Sequence, residues 1–218
     1  MSDTRRILCF GDSLTWGWVP VPGTVPTRRY PAAERWPGAL AAALGPGHEI
    51  VEEGLSGRTT DADDPLDPRL NGSAYLPTAL ASHHPLDVVV LMLGTNDTKT
   101  YFNRTPFDIA TGMARLVDQV ARSGNDVGTS YPAPKTLIVA PPPLGVISDP
   151  WFAEVFRGSR AKTVDLPRVY GALADFTGAA FFDAGQVVAT EGVDGVHFTA
   201  AANVRLGRAL AEVVAGLL

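Results

Sequence analysis

Five short apolar runs that do not alternate with polar residues constrain this chain most. They are residues 6–10 (RILCF), 48–53 (HEIVEE), 87–93 (DVVVLML), 135–140 (KTLIVA) and 180–183 (AFFD). A strand with one wet face alternates apolar and polar side chains. A run such as Val88-Val89-Val90 instead fits a strand covered on both faces, as in a parallel sheet. The segments between the runs can supply that cover, because they carry the helical period. In residues 106–123, Ile109, Met113, Leu116, Val117 and Val120 share one face, and Arg115, Asp118, Gln119 and Arg122 the other. Thr105 stands before Pro106 and Asp108, the pattern of an N-cap with proline at the first helical position. Residues 34–44, 71–83, 162–177 and 199–217 read as further helices, with Pro167 expected to kink or restart the fourth. Strands alternating with helices predict βαβ units and a doubly wound α/β fold.

Composition excludes several classes. The formal charge is −5 and no long basic run appears, which argues against a nucleic-acid partner. The single cysteine, Cys9, excludes an internal disulfide and a cysteine-rich zinc site. The apolar stretch near the start is too short for a signal-peptide core, and no segment approaches a membrane span. A soluble, cytoplasmic protein with no membrane partner is therefore expected. Charged residues are only 19%, which raises the expectation of self-association.

Three stretches lack periodicity: residues 18–36, 125–134 and 141–150, all rich in Pro or Gly. Long ordered loops in an α/β domain tend to carry function, though a rigid surface excursion or an oligomer contact is the competing reading.

Four clusters end in places where chemistry collects. Gly11-Asp12-Ser13-Leu14 follows the first strand, in the crevice where such sheets bind ligands. A serine there is a nucleophile only if a base activates it; otherwise it is a helix cap. Of four histidines, His48, His83 and His84 read as structural or exposed. His197 differs, because Asp194-Gly195-Val196-His197 lets an acid fold back onto the imidazole in one turn. Gly94-Thr95-Asn96-Asp97 follows the valine-rich strand, and the Asn96 amide there is either an oxyanion donor or a turn cap. Gly57, after the second strand, can bring a bare backbone N–H close to a ligand. All four clusters fall on one edge of a parallel sheet.

Together, and in this order, these blocks resemble those of the SGNH/GDSL hydrolases over essentially the whole chain. Residues 9–17 (CFGDSLTWG), 93–99 (LGTNDTK), 65–70 (PLDPRL) and 131–135 (YPAPK) are similar to the bacterial arylesterase branch, which includes acyltransferase and perhydrolase activity in water. The resemblance implies a single domain over 1–218, a three-layer α/β/α sandwich of flavodoxin-like type, and a five-stranded parallel sheet. It implies Ser13 as nucleophile, His197 as base and Asp194 as its orienter, with the Ser13 and Gly57 N–H groups and the Asn96 amide as oxyanion donors. Asp12, Leu14, Trp16, Thr95, Trp151, Phe152 and Phe198 are expected to line the substrate site, with Trp18 and Phe156 as further aromatic walls of a narrow channel. Core or interface positions are the competing reading for the aromatics. The expected reaction is hydrolysis of small-acyl aryl esters through an acyl-Ser13 intermediate, with transfer to alcohols or peroxide, no metal and no organic cofactor. Esters of acetylated sugars, thioesters or lysophospholipids are the alternative substrates. A ligand-binding or assembly module without catalysis is the alternative class. The resembling arylesterases form large assemblies, so a homo-oligomer is implied.

Overall fold

A computed structural model describes residues 4–23, 25–125 and 128–218. The aperiodic stretches 18–36 and 125–134 reach Thr24 and Asp126–Val127, which with Met1–Asp3 lie outside the described residues. Five strands form one sheet: β1 (Arg5–Gly11), β2 (His48–Gly54), β3 (Val88–Met92), β4 (Lys135–Ala140) and β5 (Ala180–Asp183). Every pair is parallel, in the order β2-β1-β3-β4-β5. After β2 the chain crosses to the other side of β1 to lay down β3. The β1/β3 boundary is thus the topological switch point, where a crevice opens beyond the carboxyl ends of the strands.

Burial follows position in the sheet. Every residue of β3 is buried, as are Ile7–Gly11 of β1. β2 and β5 are half-buried along most of their length, because each lies at an edge. Cover on both faces therefore holds for the central strands and fails for these two.

Two apolar layers sandwich the sheet. On one face, Leu8, Phe10, Val89, Leu91 and Ile138 pack on α3 (Gly72–His83), α4 (Pro106–Arg122) and α6 (Ser159–Thr177). On the other, Ile7, Cys9, Val88, Val90 and Leu137 pack on α2 (Trp36–Leu44) and α7 (Ala200–Leu217). Alternate residues of each strand feed opposite layers, as the pleat demands. In α4 the predicted apolar face is buried in full, each such side chain contributing about 1.5–3 kcal/mol of hydrophobic stabilisation. Its start is a capping box: the Thr105 hydroxyl accepts from Asp108 N, and Asp108 accepts from Thr105 N.

Some boundaries differ from the sequence reading. α2 starts at Trp36, because residues 32–34 form a separate 3₁₀ turn and Pro37 occupies the first turn of α2. α6 starts at Ser159 and runs unbroken through Pro167. Two short helices had no sequence counterpart: α1 (Ser13–Trp16), a single turn capped by Asp12, and α5 (Pro150–Val155), capped by Asp149. Both are too short for a period to show.

Candidate active site

The first strand delivers Ser13 into the crevice because Gly11 lets it. A Cβ on Gly11 would lie 2.1 Å from Thr15 Oγ1 and 2.8 Å from the Met92 carbonyl oxygen, so a side chain there would collide with the neighbouring strand. The chain then turns into α1, with Asp12 Oδ1 accepting from Leu14 N at 2.9 Å. Ser13 is the first residue of that turn.

From the opposite end of the chain, the loop between β5 and α7 supplies the partner. His197 Nε2 lies 2.9 Å from Ser13 Oγ, and His197 Nδ1 lies 2.8 Å from Asp194 Oδ2. Asp194 Oδ1 accepts the backbone N–H groups of Val196 (3.0 Å) and His197 (2.9 Å), which fixes the turn that sequence spacing suggested. Burial alone would push the Asp194 carboxyl up. The hydrogen bond and charge of His197, with those two N–H donors, outweigh it and hold the carboxyl below its ordinary value. Asp194 thus stays ionised beside the imidazole, the state that orients and stabilises an imidazolium. Trp18 stacks on the His197 ring at 4.9 Å between centroids, 15° from parallel. All three polar residues are buried.

Asn96 arrives from the carboxyl end of β3, on a 3₁₀ turn over Asn96–Thr98. Its Nδ2 donates to Asp12 Oδ2 at 3.2 Å and to the Arg58 carbonyl oxygen at 3.1 Å. Both amide hydrogens are therefore engaged, and donation to an oxyanion requires one of these long bonds to be shared or released. Asp12 consequently ties the serine turn to the amide. Burial is the main cause that raises the Asp12 carboxyl to about 7; the Asp97 charge adds to it, and the Leu14 N–H and Arg58 oppose it. Asp97 is also raised by burial, against the pull of Thr60 and Arg104. Gly57 adopts φ +91°, a left-handed conformation natural only to glycine, and faces the same cavity.

That cavity, about 220 Å³, is lined by Ser13, Trp18, Ser56, Gly57, Asn96, Lys99, Phe152, Phe156, Asp194, Val196 and His197. Ser13, Gly57, Asn96, Asp194 and His197 thus meet where the sequence placed them together. Of the expected wall residues, Trp18, Phe152 and Phe156 line the cavity. The others are elsewhere, and each correction has a packing reason. Leu14 and Phe198 belong to the core layer under α2 and α7. Asp12 is buried beneath the site as a hydrogen-bond acceptor. Thr95 is buried in the turn before Asn96, where its backbone carbonyl accepts from the Thr98 hydroxyl. Trp16 is half-buried against Trp18 and the Arg29 guanidinium. Trp151 is 76% exposed on α5. Ser56, Lys99 and Val196 line the cavity without having been singled out in sequence. Lys99 alone carried a signal, a cation one turn beyond Asn96. Among the described residues, no group of three or more His, Cys, Asp or Glu side chains is disposed to hold a metal ion.

The arrangement can take a proton from a serine hydroxyl, hold the resulting imidazolium and present donors to a developing oxyanion. Comparisons agree with that chemistry. Residues 9–205 match the GDSL-like lipase/acylhydrolase family. The fold superposes with a TM-score of 0.97 on the aryl esterase of M. smegmatis, 61% identical over 98% of this chain and 100% of that one. It superposes equally well, at 0.97, on Est24, a carbohydrate acetylesterase from Sinorhizobium meliloti, 59% identical with the same coverage. A further carbohydrate acetylesterase family member from Sinorhizobium meliloti is 41% identical over 98% of this chain and 99% of that one, with a TM-score of 0.91. No curated protein matches the chain.

Proposed function

The chain belongs to the GDSL-like lipase/acylhydrolase family, and on that footing we propose that it is a serine carboxylic ester hydrolase acting on small-acyl aryl esters. The observation that carries the mechanism is the continuous line from Asp194 Oδ2 through the His197 ring to Ser13 Oγ, with contacts of 2.8 and 2.9 Å. His197 Nε2 takes the Ser13 proton as Oγ attacks the ester carbonyl carbon. The carbonyl π pair moves onto oxygen, and the oxyanion is held by the Asn96 amide and the Ser13 and Gly57 N–H groups. One such donor typically supplies about 2.7–4 kcal/mol to the transition state. Collapse of the intermediate expels the alkoxide or phenoxide, which receives the proton from the imidazolium. Water then enters, and His197 takes one of its protons as its oxygen bonds to the acyl carbon. The second tetrahedral intermediate collapses, the bond to Ser13 Oγ breaks, Oγ takes the proton back from His197, and the acid leaves.

The same acyl-Ser13 can be taken by an alcohol or by hydrogen peroxide, giving an ester or a peracid. The walls Trp18, Phe152, Phe156 and Val196 support transfer to alcohols, because an apolar cavity favours apolar acceptors over water. The likeness to Est24 supports acetylated sugars as a second substrate reading. We read 1–218 as one domain working in the cytoplasm as a homo-oligomer; no helix among the described residues is long and apolar enough to cross a membrane.

Ser13→Ala tests the nucleophile. It is expected to lose at least about a thousandfold in kcat on 4-nitrophenyl acetate and all labelling by a fluorophosphonate. Wild-type turnover in that variant rejects the assignment. Vinyl acetate mixed with benzyl alcohol in buffer tests acyl transfer: benzyl acetate is the expected product, and acetate alone rejects it.

A further inference from the structure

Lys99 is a cation in a cavity whose other lining residues are apolar, belong to the proposed catalytic machinery, or, in Ser56, carry a neutral hydroxyl. It follows Asn96 by one turn, its own backbone N–H donating to the Asn96 carbonyl at 3.2 Å, so its position is tied to that of the amide. Its side chain is half-buried and lines the cavity with Ser13 and His197. Nζ stands 5.9 Å from the Tyr101 ring centroid and 6.0 Å from that of Phe156. These are weak contacts, at the outer reach of cation–π attraction. Among the described residues no oxygen of the protein accepts a hydrogen bond from this ammonium, which has three donors to place.

The nearby carboxylates are each engaged with other groups. Asp97 accepts from Thr60 and pairs with Arg104 at 2.8 Å. Asp64 accepts from the Tyr101 hydroxyl at 3.1 Å and from Leu66 N at 2.9 Å. Asp12 accepts from Leu14 N and Asn96. Asp194, the one carboxylate on the cavity wall, is bound to His197. Burial lowers the Lys99 pKa, and the fields of Asp64, Asp12 and Asp97 counter it, favouring the charged form. A partly desolvated ammonium that lacks an acceptor in its own protein is a receptor for an anionic oxygen, which would form a charge-assisted hydrogen bond there.

We propose that Lys99 is a specificity-determining residue, whose ammonium binds a carboxylate carried by the ester substrate while Phe152 and Phe156 hold the apolar body between that carboxylate and the scissile bond. The inference rests on the esterase reading and narrows its substrate class to esters with an acidic tip. The carboxylate can sit on either the acyl or the alcohol side, and the test has an arm for each.

The readout is a ratio of kcat/KM values, charged ester over its neutral methyl ester. One pair is 4-nitrophenyl hydrogen succinate and methyl 4-nitrophenyl succinate, followed by nitrophenolate release. The other is 4-acetoxybenzoate and methyl 4-acetoxybenzoate. In at least one pair the ratio is expected to fall about tenfold in Lys99→Met, a typical loss for one charge-assisted contact, and to recover in Lys99→Arg. Ratios unchanged in both pairs overturn the proposal, as does an equal loss on charged and neutral esters, which would make Lys99 a general electrostatic aid. Should Lys99→Met fail to fold, Lys99→Gln replaces it. In the wild type, benzoate is expected to inhibit 4-nitrophenyl acetate hydrolysis competitively, and more strongly than benzamide, which is neutral and takes no acyl group; equal inhibition counts against the site. If the wild-type protein hydrolyses none of the neutral esters, the esterase reading has failed; if it hydrolyses them and the ratios do not move, only the Lys99 inference has.

Discussion

At the scale of single residues, the meeting of Ser13, His197 and Asp194, the proposed catalytic groups, was legible because the chemistry of acyl transfer restricts such groups to few residue types. Asp12 was legible only as part of a motif. Sequence suggests that it lines the substrate site, whereas it lies beneath and joins the serine turn to the Asn96 amide. Its titration makes a testable mark. In the unfolded chain this carboxyl ionises near 3.8, and in the folded protein burial holds it to about 7. Between those values the folded state keeps a proton that the unfolded state has lost. Asp12 therefore costs stability progressively as pH rises through that window, and in full above it. Asp12→Asn removes the cost. The difference in Tm, variant minus wild type, is expected to rise by about 5 °C or more from pH 4 to pH 8. A difference that stays constant between the two pH values refutes the assignment, whatever fixed penalty the substitution carries.

Elements differ in how much they tolerate, and the tolerance tracks distance from the switch point. Gly11→Ala forces a methyl group toward the Met92 carbonyl at the β1/β3 boundary. The expected result is a loss of about 1–3 kcal/mol in stability together with at least a tenfold fall in kcat, as Ser13 moves off His197. Thr105→Ala removes the hydroxyl of the α4 capping box, remote from the cavity. It is expected to cost about 1 kcal/mol, or about 2–4 °C in Tm, with kcat kept within twofold. Thermal unfolding and steady-state kinetics on both variants check the contrast. β4 and β5, though short, match their expected bounds because each holds a continuous apolar run flanked by polar residues or Gly/Pro. α4 was legible because its period repeats over many residues behind a clear cap, and it ends one residue short of its expected bound. α5 was not, since six residues after Asp149-Pro150 hold too little pattern to separate helix from loop. The cavity walls were partly illegible for the same reason. Successive residues of a helix point about 100° apart, so on α5 Phe152 reaches the cavity while its neighbour Trp151 faces solvent.

Over the whole molecule, the central question is what covers the apolar surface. Trp151 is 76% exposed, and Phe107 (72%) and Phe176 (90%) share one apolar groove between α4 and α6, a surface of the kind that marks an interaction site. A homo-oligomer is the expected outcome: light scattering should find a particle of at least twice the 23.0 kDa chain mass. A particle of one chain mass rejects it.

Ser13 and His197, whose side chains meet at 2.9 Å, lie 184 positions apart. On the roles proposed here, a nascent chain still emerging from the ribosome holds its hydroxyl, its turn and its amide long before any imidazole arrives to awaken them. On those roles, esterase activity can arise only after the loop before α7 has been translated and has folded against the ends of the strands.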